Sequence, residues 1–231
     1  MTAYKQILAS TLRVFGWLAA ASLAQACASD APPAPEAHYA AQAPADTSDA
    51  SDELFAPENL VRFDVELSAE SMLRLEEDPF TFVFGTLRYR EQELRSIGVR
   101  LKGEASFRAL DDKPALRLKL DEFVPGQRLL GLKRLTLNND VQDPSSLSQS
   151  LAYRLFRAAG LPAPRCNHAL VYVNGKYYGL YSNVETEDKS FLSRWFSSND
   201  GNLYEEGGSD LVPGSSALFD LETNEDTADR S

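Results

Sequence analysis

Period-two alternation governs the middle of this chain. Arg62–Leu67, Ile97–Lys102 and Ala115–Leu120 each place apolar residues at every second position, and Leu132–Leu137 does so at its Leu135–Leu137 end, the pattern of a strand with one buried face. Phe80–Phe84 and Thr86–Tyr89 are rich in β-forming residues and read as a hairpin broken at Gly85. Ala169–Val173 and Lys176–Tyr181 flank Asn174-Gly175, the strongest short-range hairpin signal. A sheet of antiparallel strands must therefore supply the core.

Helical periodicity is rarer. Ser68 can cap a short helix over Ala69–Glu77 that stops before Pro79. The spacing predicts a longer helix over Pro144–Ala159, capped by Asp143 and closed by Gly160 and Pro162, with Leu147, Leu151, Leu155, Ala152, Phe156 and Ala159 on one stripe. Another is expected over Glu187–Phe196, with Phe191, Leu192, Trp195 and Phe196 facing inward. Strands followed by helix, hairpin and helix predict an α+β fold: one antiparallel β-sheet with helices packed on one face.

The N-terminus carries a different signal. Lys5 and Arg13 precede an apolar run, Val14–Leu23, then small residues at Ala24-Gln25-Ala26 and Cys27. This order of charge, apolar run and small residues is that of an export signal, residues 1–27; the run is too short to span a membrane. A cysteine at the cleavage point makes Cys27 the candidate lipidation site, with ordinary cleavage and secretion as the alternative. Residues 28–60 hold seven acids and no Lys or Arg among Ala, Pro and Ser, a composition expected to act as a disordered tether between membrane and domain. Cys166, left without a partner, is expected to be a small buried hydrophobe.

The net charge of −11 is misleading as a guide to partners. The tail from Glu205 has eight acids against one base, whereas residues 61–204 carry 20 bases and 19 acids. This nearly neutral domain has no strongly basic surface of the kind that binds nucleic acid.

Candidate chemistry lies on two strands. Arg100 and Lys102 share one face of their strand, and Arg117 and Lys119 share one face of theirs. If the strands pair, four cations cluster. Between them, Gly103-Glu104-Ala105-Ser106 forms a small-residue turn whose N–H groups suit an anion. Cations beside such a turn fit a polyphosphate; a solvated face with salt bridges to Glu104, Asp111, Asp121 and Glu122 is the competing reading. No Walker A loop or G-x-S-x-G elbow is present, and His38, His168 and one free cysteine do not make a zinc site.

Several segments together resemble the spore coat protein CotH kinase-like family: Arg100–Arg108, Lys113–Asp121, Gly131–Asn139, Asp143-Pro144, Leu151–Arg157, Gly160–Pro164, Val171–Tyr181, Glu185, Asp188-Lys189 and Gly201–Glu205. The resemblance runs from about Val61 to Tyr204. It implies the N-terminal lobe of an atypical protein kinase that uses ATP with Mg2+ and phosphorylates Ser or Thr of a protein. By position it places Gly103 and Ser106 over the phosphates, Lys119 or Lys102 on them, and Glu185 near adenine; Arg117 joins the candidate cofactor-binding residues through the cation cluster. Two departures follow. Ser148-Gln149 stands where many relatives have Arg followed by Glu or Asn. The Trp-Asp-Leu-Asp-type segment near the family's catalytic and metal-binding aspartates is missing, so 205–231 is expected to open a C-terminal half that this sequence lacks, leaving it inactive. The protein is thus expected to be an exported, lipid-anchored envelope protein whose partner is a protein substrate or another envelope protein; the alternative is a non-catalytic surface lipoprotein that binds a protein or nucleotide.

Overall fold

The computed structural model describes residues 49–206, 212 and 219–224, all within one unit, Ala41–Ser231. The proposed signal peptide and Cys27 lie outside the described residues. A 3-10 helix, Ala50–Leu54, comes first. The strands are β1 (Val61–Leu67), β2 (Val83–Tyr89), β3 (Gln92–Lys102), β4 (Ala115–Lys119), β5 (Arg134–Asn138), β6 (Cys166–Val173), β7 (Lys176–Val184), β8 (Tyr204–Glu206) and β9 (Phe219–Leu221); the helices are α1 (Ala69–Glu77), α2 (Ser148–Ala158) and α3 (Lys189–Trp195).

Among the described residues, seven strands close into a barrel in the order β1-β2-β3-β4-β5-β7-β6. Neighbours pair antiparallel except at the seam, where β1 runs parallel to β6 with Val61 opposite Ala169 and Val65 opposite Val173. The barrel corrects the expected α+β arrangement of an open sheet with helices packed on one face. Alternation identifies the apolar side of a strand, but that side looks the same whether helices cover it or the sheet curls over itself. Here it curls: Phe63, Leu87, Ile97, Val99, Leu118, Leu137, Val171 and Tyr181 fill one continuous core, and closure leaves no free sheet edge.

The helices show why they are not the second layer. On α2, Leu147, Leu151, Leu155 and Phe156 are 48, 56, 67 and 46% exposed, so the predicted stripe faces outward; the helix's buried residue is Ser150. From α1, Leu75 enters the barrel core, whereas Phe191, Leu192 and Trp195 of α3 form a separate cluster with Leu203.

Local chemistry explains other differences. Asn174 and Gly175 both take positive φ, 49° and 77°, as a tight primed turn requires, and β6 and β7 pair on either side. The Asn174 side chain also accepts from Leu67 N at 2.8 Å and donates to Leu67 O at 3.0 Å, tying the turn to β1. At Gly85, by contrast, β2 continues without turning. A Cβ there would meet Val99 Cγ2 at 2.6 Å; the glycine admits a close crossing at a bulge, and the hairpin turns at Arg90, whose φ is 50°. Helix α2 starts four residues later than expected because Ser146 takes a φ of 55°. Asp143 still serves its start, accepting from Ser148 N at 2.8 Å.

Residues 49–60, expected within the tether, are structured. Asp49 caps the 3-10 helix, Leu54 is fully buried in the barrel core and Phe55 nearly so. Asn183 Nδ2 donates to Leu54 O at 3.1 Å. Leu54 and Phe55 in the core, with hydrogen bonds from Asn167 to Ala56 O and Asn59 O, dock the segment.

Candidate functional site: a cationic cleft on the barrel wall

A polar cleft of about 220 Å³ opens on the outer surface of β3, β4 and β5. The register builds it. Arg100 of β3 pairs across Arg117 of β4, Arg117 across Thr136 of β5, and Thr136 across Val184 of β7. Inward residues between these fill the core, so the polar ones stand on the outer face. Lys102, Arg117, Thr136 and Asn138 form the floor; Gln149 and Tyr153 of α2 form one wall; Val184, Glu185, Thr186 and Glu187 form the other; Glu205 and Glu222 stand at the mouth.

The four predicted cations thus divide. Lys102 and Arg117 line the cleft. Lys119 does not: its Nζ lies 2.6 Å from Glu122 Oε2 and 5.9 Å from the Phe82 ring centroid, a half-buried ion pair that compensates its charge. Arg100 lies between, its guanidinium carbon 5.2 Å from the centre of the Phe82 ring. Gly103 and Ser106 are also outside the cleft lining. Gly103 has a φ of 106°, and a Cβ there would lie 2.7 Å from Ser106 Oγ. The turn is braced by Asn139, whose Nδ2 donates to Ser106 O at 3.0 Å.

Charge within the cleft is only partly compensated. Burial and then the Arg117 charge push Lys102 below the ordinary lysine value, and burial and Arg117 do the same to Arg100. The Nε atoms of both Arg100 and Arg117 are buried with no hydrogen-bond partner among the described residues. At the mouth, burial and then Glu205 raise the affinity of Glu187 for its proton; burial likewise raises that of Glu222, against the pull of Arg117.

Glu185 contributes to the wall, but its carboxylate is taken. Oε1 accepts from Arg165 Nη2 at 2.8 Å and Arg194 Nη2 at 2.9 Å, and Oε2 accepts from Arg165 N at 3.0 Å. Arg165 also pairs with Asp52 and donates to Ser51 Oγ at 2.9 Å. This is a latch that fastens the N-terminal 3-10 helix to β7 and α3. Cys166 is buried and free, its thiol pushed up to about 12 chiefly by burial, as a small core hydrophobe.

Sequence reasoning missed Thr136, Asn138, Tyr153, Glu187, Glu205 and Glu222. Thr136 and Asn138 carry the same signal as the cations, polar residues at alternate positions of a strand. Glu205 and Glu222 carry none, because the pairing of β8 with β9 brings them to the mouth from a distance in sequence.

Residues 99–230, which include every residue lining this cleft, match the family model described as CotH kinase protein. The chain belongs to the CotH family. It is similar to the inner spore coat protein H-like protein of Bacillus subtilis (strain 168), 39% identical over 57 residues, covering 25% of this chain and 19% of that relative. It is also similar to inner spore coat protein H of the same organism, 31% identical over 72 residues, covering 31% of this chain and 20% of that relative. This CotH-family chain therefore spans about a fifth of the length of the curated relatives it matches.

Proposed function

We propose that the cleft binds the phosphates of a nucleotide, with ATP the family's expected ligand, and that the protein is a kinase-like member of the CotH family. The observation that carries this reading is the juxtaposition of Lys102 and Arg117, with the Arg117 Nε buried and without a hydrogen-bond partner among the described residues. A buried donor without an acceptor costs about 1–3 kcal/mol, and an anionic oxygen would remove that cost.

The donor set also fits magnesium, which usually binds through phosphate oxygens and one or two carboxylates. Glu187 and Glu222 would supply these; among the described residues no three His, Cys, Asp or Glu side chains form a metal-ligand group. Bound there, the ion would screen the phosphate charge from the carboxylates at the mouth. Phosphoryl transfer to Ser or Thr of a protein is the family activity that this reading assigns to the protein.

The reading extends to location. Both relatives are named as spore coat proteins, and an envelope or coat site for this protein agrees with the export pattern of residues 1–27 and with lipid at Cys27. Mass spectrometry of the mature N-terminus tests it: a diacylglyceryl adduct on Cys27 is expected, and an unprocessed Met1 or an unmodified cysteine counts against it.

Isothermal titration of the full chain with magnesium ATP tests the cleft. Micromolar binding that Lys102→Ala weakens at least about tenfold, the effect of losing one charge-assisted hydrogen bond, is expected. Absence of binding by the wild type, or equal binding by the variant, sinks the nucleotide reading. Binding without transfer of labelled phosphate to any protein would leave a nucleotide-binding surface protein.

A further inference from the structure

Lys102 is held in the cleft by an unusual partner. Its Nζ donates to Asn138 Oδ1 at 2.7 Å. Asn138 Nδ2 in turn donates to Gln149 Oε1 at 2.9 Å, and Gln149 Nε2 donates to Tyr153 OH at 3.4 Å. The three links join β3, β5 and α2.

The direction of each bond matters. An amide has a donor end and an acceptor end. Because Gln149 takes the Asn138 donor end, the Asn138 oxygen must face Lys102; without Gln149 the Asn138 amide is free to turn over and present an N–H to the ammonium. The partner is also neutral. A carboxylate here would fix the amine equally well but would cancel its charge and compete with any incoming anion. Asn138 fixes the amine without a carboxylate in direct contact, beside Arg117 and with Glu205 as a partial counter-charge.

The seat of α2 enters the same chain of contacts. This helix buries Ser150 and turns Leu147, Leu151 and Leu155 to solvent. Its attachment is consequently polar: the Gln149–Asn138 bond, the Arg157 guanidinium on Pro164 O, and His168 Nε2 donating to Ser146 O at 2.6 Å just before the helix. Whatever shifts α2 shifts Gln149.

We infer that Asn138 and Gln149 are positioning residues for Lys102: they aim its ammonium, which has no carboxylate in direct contact, into the cleft for an anionic ligand and make its placement depend on the seat of α2. The inference rests on the anion-binding reading for its ligand, but the positioning itself has a readout that needs none.

That readout is the acetylation rate of Lys102 under trace acetic anhydride, measured in the full chain by peptide mass spectrometry relative to the exposed Lys176. Releasing the amine should raise its relative rate about fivefold or more in Asn138→Leu and Gln149→Leu, the consequence of losing its one fixed acceptor. Gln149→Glu keeps an acceptor for Asn138 Nδ2 and should return the rate to within about twofold of the wild type. Inorganic tripolyphosphate serves as the anion probe, and both leucine variants should bind it about tenfold more weakly. Equal acetylation in wild type and Gln149→Leu overturns the positioning, whatever the binding. An expected acetylation pattern with no binding of tripolyphosphate by the wild type supports the positioning and overturns the anion reading. If Asn138→Leu unfolds, the Gln149→Leu and Gln149→Glu pair carries the decision alone.

Discussion

The latch around Glu185 and the floor of the cleft use the same residue types to opposite ends. In the latch, two guanidiniums meet a carboxylate that is 3% exposed and also reach Asp49 and Asp52, so that both cations are matched by carboxylates even though Arg165 Nε has no acceptor among the described residues. A short distance along the same wall, Lys102 and Arg117 are half-buried with a neutral amide and a donor without an acceptor. Buried charges that are neutralised within the protein hold it together; buried charges that are left over await something else. What differs between the two regions is the charge partner, carboxylates in the latch and a neutral amide at Lys102, since each holds a buried guanidinium Nε without an acceptor.

The sharpest way to break the comparison is at the latch. Glu185→Gln leaves Arg165 and Arg194 without their shared carboxylate. Removing one partner of a buried pair costs about 3–5 kcal/mol; a loss near the lower end is expected, since Gln keeps an acceptor, with a fall in melting temperature of roughly 10 °C. Urea unfolding followed by tryptophan fluorescence measures it. A loss below about 1 kcal/mol, the range of an exposed pair, would erase the distinction between the two regions.

At the cleft the expected pattern is reversed. Arg117→Ala removes a cation that repels Lys102 and Arg100, so folding stability should hold within about 1 kcal/mol while magnesium ATP binding weakens about tenfold. Loss of stability comparable to that of Glu185→Gln would make Arg117 a structural residue.

The carboxylates at the mouth predict a pH dependence of definite sign. Glu187 holds its proton more tightly in the folded protein than in the unfolded chain, through burial and the neighbouring Glu205, Glu185 and Glu222. The folded state thus binds more protons between the two values, and this group's contribution to stability falls as pH rises from the ordinary glutamate range through the raised folded value. Glu187→Gln should flatten that part of the stability profile and leave the wild type and variant alike below pH 4. A steeper profile in the variant would mean that Glu187 is stabilised as a carboxylate, with the Arg117 side of the cleft dominating.

The cationic face was legible in the sequence and the latch was not, for physical reasons. Alternation at Val99–Lys102 and Leu116–Lys119 correctly put four cations on one outer surface, and Asn174-Gly175 fixed a turn. Alternation is blind to closure: the parallel pairing of β1 with β6 joins residues over a hundred positions apart, and no local pattern announces it. The stripe on α2 misled for the same reason, since an apolar face predicts burial only if a partner surface exists. Which cations are compensated also depends on neighbours distant in sequence. Lys119 finds Glu122 three residues away, whereas Lys102 finds Asn138, 36 residues on.

Lys119 therefore provides the smallest and most discriminating effect. By position in the sequence it is a leading candidate for the phosphates; in the fold it is a half-buried partner of Glu122, with its side chain 34% accessible. Lys119→Ala should cost about 1 kcal/mol, the upper end for a partly accessible ion pair, and that cost should shrink in 1 M salt, where screening acts within about 3 Å. Magnesium ATP binding should be unchanged. The paired titrations of Lys119→Ala and Lys102→Ala compare two lysines on the outer surface of neighbouring strands that differ in compensation and in place. Should Lys119→Ala weaken binding as much as Lys102→Ala, the ligand would have to extend across the outer surface past Arg100 to the Phe82 ring, and the cleft alone would not be the site.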